Sequence, residues 1–75
     1  MGERLPRITG KELVAALGRL GFALHHARGS HHVLRNAAGR HVTVPVHAGA
    51  IVGPGLLRRI LEQAGIRDDE LRGAL

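Results

Sequence analysis

Apolar residues first recur at helical spacing between positions 10 and 20, where Leu13, Leu17 and Leu20 line up with Val14 and Ala16 beside them. Thr9 stands just ahead, and Glu12 follows it three positions on. A hydroxyl that accepts from the helix backbone, answered by a carboxylate reaching back, is the capping-box pattern. Gly21 then offers the left-handed conformation that stops a helix. The spacing predicts a helix over 10–20. Beyond it the period shortens. Residues 22–27 read as an extended run, and Arg28-Gly29-Ser30 marks a turn. A second run over 31–35 is closed by the loop Asn36-Ala37-Ala38-Gly39. Residues 41–46 then alternate, with Val42, Val44 and Val46 on one face, and Pro45 marks an edge or the strand's end. The facing of the middle run stays open. Val33 and Leu34 are neighbours and cannot share a face, so either His31 or His32 points away from the helices.

Residues 49–53 form a loop, and Pro54 suits the first position of a helix. Leu57, Ile60, Leu61 and Ala64 make its apolar stripe, and Gly65 ends it. Asp68 is placed to cap a last short turn carrying Leu71 and Leu75. Helix, three antiparallel strands, helix is an α+β order. One apolar sheet face covered by two amphipathic helices gives a two-layer α-β-β-β-α sandwich. Double-stranded-RNA-binding domains share this chain order.

Seventy-five residues are expected to form a single domain over 1–75, with a thin core. A composition 44% hydrophobic and 23% charged is globular rather than disordered. The absence of cysteine excludes a disulfide framework and a thiolate zinc site. No apolar run approaches the ~18 residues that span a bilayer, and Met1 to Thr9 lacks a signal-type apolar core. These features point to a cytoplasmic protein with no membrane contact.

Charge adds a direction. Eleven basic residues, ten of them arginine, stand against six acidic ones for a net +5. No acid occurs between Leu13 and Leu61, a stretch that holds Arg19, Arg28, Arg35, Arg40, Arg58, Arg59 and all six histidines. A middle section of one sign is an electrostatic footprint for a polyanion, most commonly nucleic acid.

The chemistry follows from what is present. Ser30 is the one serine and the carboxylates lie far along the chain from the histidines, so a serine triad and paired-carboxylate hydrolysis both lack their groups. Zinc is a rival for the histidines, since facing strands can bring His25 or His26 near His31 or His32. RNA cleavage needs neither metal nor redox cofactor. The ribose 2′-OH already lies beside the phosphorus, and a histidine in an arginine-lined, carboxylate-poor pocket can act as base or acid at neutral pH. Arginine stabilises the charge that develops on phosphorus. Gly29 lets the backbone approach a phosphate, and the Ser30 hydroxyl and neighbouring amides can bind it.

Three segments carry a family resemblance: Arg28-Gly29-Ser30-His31-His32-Val33-Leu34-Arg35 with Gly39-Arg40, then Val42-Thr43-Val44-Pro45-Val46-His47, then residues 53–66 with Leu57-Arg58-Arg59-Ile60-Leu61 and Ala64-Gly65. In this order and spacing, from about Gly10 to Ile66, the chain resembles the HicA (YcfA-like) toxins of type II toxin–antitoxin pairs. The resemblance implies a double-stranded-RNA-binding-like fold and a metal-free mRNA endonuclease acting on single-stranded RNA without a cofactor. It also implies a HicB antitoxin that covers the site. His31 matches the catalytic histidine and Gly29 the glycine before it. His32 falls at a variable position, and His47 matches a supportive histidine after the Val-Pro strand. Arg28, Arg35 and Arg40 join Ser30 as RNA-binding or antitoxin-facing groups, and the free toxin is expected to be a monomer. Two departures stand out. Arginine replaces the family's lysine-rich surface and keeps its charge, and Leu34 takes the place of an aromatic, removing a base-stacking platform. A non-catalytic RNA-binding module of the same fold is the alternative.

Overall fold

Thr9 starts the first helix as its spacing predicts. In the computed structural model, which describes residues 5–75, the Glu12 backbone N–H donates to Thr9 Oγ1 at 3.1 Å while the Thr9 N–H donates to Glu12 Oε1 at 2.8 Å. Glu3 and the beginning of the Met1–Thr9 segment lie outside the described residues. Helix α1 runs Gly10–Arg19 and closes one residue earlier than predicted, with Leu20 as its C-cap. Phe22 drops into the core before strand β1 begins, so β1 is Ala23–Arg28. Strands β2 (His31–Arg35) and β3 (His41–Pro45) follow, then helices α2 (Pro54–Ala64) and α3 (Asp68–Ala74). The sheet is antiparallel in the order β1-β2-β3.

The turns are tighter than the residue types alone predict. Arg28 belongs to β1 and pairs with His31, leaving Gly29 and Ser30 as a two-residue hairpin loop. Gly29 has φ 57° and Ser30 has no positive φ, the arrangement of a type II′ turn, whose first central position favours glycine. The second hairpin is held by the Asn36 side chain, whose Oδ1 accepts from the Arg40 N–H at 2.9 Å. Strand β3 ends at Pro45 rather than Val46. The Val46 N–H still donates to the Ser30 carbonyl at 2.6 Å, so the neighbouring His31–Pro45 pair exchanges no backbone bonds. Proline's missing N–H therefore costs the ladder nothing there, on an edge strand.

Apolar burial is one-sided. Leu34, Val42 and Val44 face the helical layer, where Leu13 and Leu17 of α1 meet Leu57, Ile60 and Leu61 of α2. Each such side chain contributes about 1.5–3 kcal/mol when fully buried. No polar side chain is buried among the described residues. The last element exceeds its prediction: a seven-residue helix replaces the short turn. Leu71 and Ala74 bury its inner side, Arg19 Nη1 donates to the Ala74 carbonyl at 2.7 Å, and Arg58 grips Asp68 with two bonds of 2.8 and 3.0 Å.

Gly10 sits where α1 crosses the end of β3, and a Cβ at this position would run into the Pro45 carbonyl oxygen. Gly10→Ala is therefore expected to destabilise the fold by about 1–3 kcal/mol in urea unfolding. An unchanged midpoint would contradict that close approach. The Arg58–Asp68 pair has a pH signature. The hydrogen bond from Arg58 holds the Asp68 carboxyl below its ordinary range. A carboxyl lowered in the folded state stabilises above its unfolded value of about 3.9 and ceases to do so as pH falls through the folded value. Asp68→Asn should thus melt below the parent at about pH 6, with the gap narrowing as pH falls below about 3.9 and through the lowered folded value. A gap that persisted in acid would show that the pairing contributes nothing through charge.

Candidate nucleic-acid interface

The register sorts every residue of the sheet to one face, because directly opposed residues on neighbouring strands share a side. Leu34 lies opposite Val42, and His32 opposite Val44, so both point toward the helices. That settles the open question: His31, Val33 and Arg35 point away. Three rungs then make up the open face. The first joins Arg28, His31 and Pro45, the second His26, Val33 and Thr43, the third Ala23, Arg35 and His41. Val33 and Pro45 are half-buried and form a low apolar floor, while the other seven residues are exposed.

Charge is segregated in the same way. The described acids are Glu12 on α1, Glu62 on α2, and Asp68, Asp69 and Glu70 on α3. The sheet itself carries none. Its paired rungs instead present Arg28, Arg35 and the imidazoles of His26, His31 and His41 to solvent. A face of one sign over a low-dielectric body attracts a polyanion along its length. His31 therefore stands on an open surface rather than in the pocket the sequence suggests. A small hollow bounded by Ile8, Glu12, Ala15, Arg19 and Leu75 lies on the helical side, away from it.

Not every residue singled out from the sequence reaches this face. Gly29 and Ser30 do, at the turn that joins Arg28 to His31. His47 is brought close by the Val46–Ser30 bond and sits where the chain leaves the sheet, in a turn closed by the Ala50 N–H on the His47 carbonyl at 3.0 Å. His32 is turned to the opposite side and half-buried beside Val44. Arg40 also leaves: its Nη1 donates to the Gln63 carbonyl at 3.0 Å, and its guanidinium lies against Gly65. There it satisfies the C-terminal end of α2, where a cation is favoured. The base-stacking expectation at Leu34 needs correction as well. Leu34 is fully buried against the helices, so whatever occupies this position packs the core and meets no base.

His41 and Thr43 join the face without having been singled out, and so does His26, which the sequence offers only as a zinc ligand. For Thr43 and His41 the alternation of β3 is the signal, since they are the polar partners of Val42 and Val44. For His26 the sequence holds no such signal, because a bulge in β1 places it. The six histidines do not gather around one point. Among the described residues no group of three or more His, Cys, Asp or Glu is arranged to hold a metal ion. Nor is any described helix long and apolar enough to cross a membrane.

A helix-backed sheet with one cationic, carboxylate-free face defines a small α-β-β-β-α domain. Residues 10–66 match the family described as HicA toxin of bacterial toxin-antitoxin, and the chain belongs to that family. It is thus the toxin of a toxin–antitoxin system and has an antitoxin as its counterpart. The matched span reaches from the start of α1 to just past α2, with α3 beyond it. No curated protein matches the chain at a significant level.

The divergent positions of the arginines give a direct check. Arg40→Ala should lower the melting temperature by about 2–4 °C, the shift that about 0.5 kcal/mol gives in a chain of this size. Arg35→Ala, which removes a guanidinium with no side-chain hydrogen bond among those of the described residues, should leave it unchanged. Equal shifts would remove the distinction drawn between the two.

Proposed function

We propose that this toxin is an endoribonuclease that cleaves single-stranded mRNA in the cytoplasm, with His31 as its proton-transferring group. One observation carries the reading: the imidazole matched to the family's catalytic histidine is exposed on the carboxylate-free face, with Arg28 directly across from it. The phosphodiester backbone lies along the open rungs. Arg28 and Arg35 meet its phosphates, and the Gly29–Ser30 turn adds backbone N–H groups and a hydroxyl at the His31 end. His47 supports the same end. His31 as the neutral imidazole takes the proton from a ribose 2′-OH, and the freed oxygen attacks the adjacent phosphorus; the bond to the 5′-oxygen breaks, leaving a 2′,3′-cyclic phosphate and a 5′-oxygen that takes up a proton. Arg28 stabilises the charge that accumulates on the non-bridging oxygens. These steps use protein groups alone and require no cofactor.

The face also explains how such an enzyme is held silent. A HicB-like antitoxin with an acidic surface complements Arg28, His31 and Arg35, associates quickly, and closes the route to RNA in one contact. Arg40 and His32 lie off this surface and contribute little to either partner.

His31→Ala is expected to slow cleavage of a single-stranded RNA by about 10²–10⁴-fold, the usual worth of a general base, with EDTA present and the circular dichroism spectrum unchanged. A variant that cut as fast as the parent would disprove the assignment. A parent protein that bound RNA with strong salt dependence yet left it intact would favour the second reading, a binding module of the same fold.

A further inference from the structure

Strand β1 departs from regular pairing at one point. Leu24 pairs with Leu34 and His26 with Val33, the next residue back on β2, so His25 is an extra residue with no partner. Along a regular strand consecutive side chains point to opposite faces, and neighbouring imidazoles do not meet. Here Nδ1 of His25 and Nδ1 of His26 lie 2.8 Å apart, with ring centroids separated by 5.0 Å and the rings at 73°. The bulge turns both rings to one side, and the pairing of His26 with Val33 makes that side the open face. His26 is moreover the diagonal neighbour of His31, whose direct partner is Arg28 two residues on. Diagonal neighbours stand roughly 7–8 Å apart. In-line attack puts the entering and departing oxygens on opposite sides of phosphorus. Base and acid then stand one hydrogen bond beyond each, and two imidazoles at this spacing bracket one phosphate.

We propose that His26 is the general acid of the cleavage reaction and that His25 is the positioning residue that orients it. The inference rests on the nuclease reading above, with His31 as the base. When His26 is protonated, its Nδ1–H donates to Nδ1 of neutral His25, which leaves Nε2–H free to donate toward the RNA. The balance is as follows. The 2′-oxygen forms its bond to phosphorus as its proton passes to His31, and the bond from phosphorus to the 5′-oxygen breaks as the His26 proton passes to that oxygen. The products are a 2′,3′-cyclic phosphate and a 5′-hydroxyl, with His31 charged and His26 neutral until water exchanges the protons back. The groups facing His26 are His25 and Arg28 on its own strand, His31 and Arg35 on β2, and His41 on β3. Lys11, Glu12 and Arg19 of α1 belong to the helical layer on the other side of the sheet. His47 stands near the same end but is held by no side-chain hydrogen bond among those of the described residues, whereas the His26 ring is anchored.

The test compares two RNAs across a pH series, after the bond cut by the parent has been mapped. One is the natural oligonucleotide. In the other a sulfur replaces the bridging 5′-oxygen at that bond, giving a thiolate that departs without a proton. On natural RNA the parent should show a bell-shaped profile, and His26→Ala and His26→Gln should each lose about 10²-fold together with the alkaline limb. On the sulfur substrate both should recover to near the parental rate, whereas His31→Ala should fail on both RNAs. His25→Ala should move the alkaline limb without abolishing it. Parental rates for the His26 variants on natural RNA would overturn the proposal, as would equal losses on both substrates, the mark of a merely structural role. A parent that leaves natural RNA uncut, so that there is no bond to map, overturns the nuclease reading itself, a result distinct from failure of His26 alone.

Discussion

Leu34, Val42 and Val44 are dry together only in pairings of one parity between the two strands that carry them. The side-chain period of a strand is two, so a slip of one residue between β2 and β3 would put Leu34 in water and drive Val33 flanked by His31 and Arg35 against the helices. Losing even two such burials costs about 3–6 kcal/mol, a large part of the stability of a small domain. His31 is thus turned outward by the leucine and valines on the opposite face. The type II′ turn at Gly29 and the bond from the Val46 N–H to the Ser30 carbonyl lock the same register from the end at which His31 stands.

Charge follows the layers. Helices carry the carboxylates and spend several of them locally, with Asp68 on Arg58, Asp69 on Arg67, and Glu12 on the Thr9 cap. Arg40 is likewise committed to the end of α2 and Arg19 to the end of α3. What remains on the sheet is an excess of cations with no carboxylate among them. On this surface the proposed contacts with RNA and with the antitoxin converge. Leu24, 53% exposed on the overhanging edge strand, marks where the helical layer stops short of β1.

Most of the architecture is legible in the residues. The capping box at Thr9, the alternation from His41, and the stripe from Leu57 to Ala64 each correspond to an observed element. The facing of β2 was not legible because Val33 and Leu34 are adjacent apolar residues, and only the pairing with β3 distinguishes them. The bulge in β1 was hidden for another reason. No glycine or proline marks it, and the doublet His25-His26 reads the same in a regular strand. The placement of Arg40 is not legible for a tertiary reason: its partner, the Gln63 carbonyl, lies 23 positions away on a helix packed over β3. The role of Leu34 is illegible for the same reason as the facing of β2, since only the register shows that this position lies in the core.

The most direct measurement is nuclear magnetic resonance of the labelled protein titrated with an RNA oligonucleotide whose 2′-hydroxyls are methylated, so that it binds without being cut. Shift changes should concentrate on Arg28, Ser30, His31, Val33, Arg35 and Thr43, with the ring resonances of His31 moving most. Changes confined to α1, α2 and α3, with the His31 ring undisturbed at saturation, would place the RNA on the wrong side of the sheet and contradict the account.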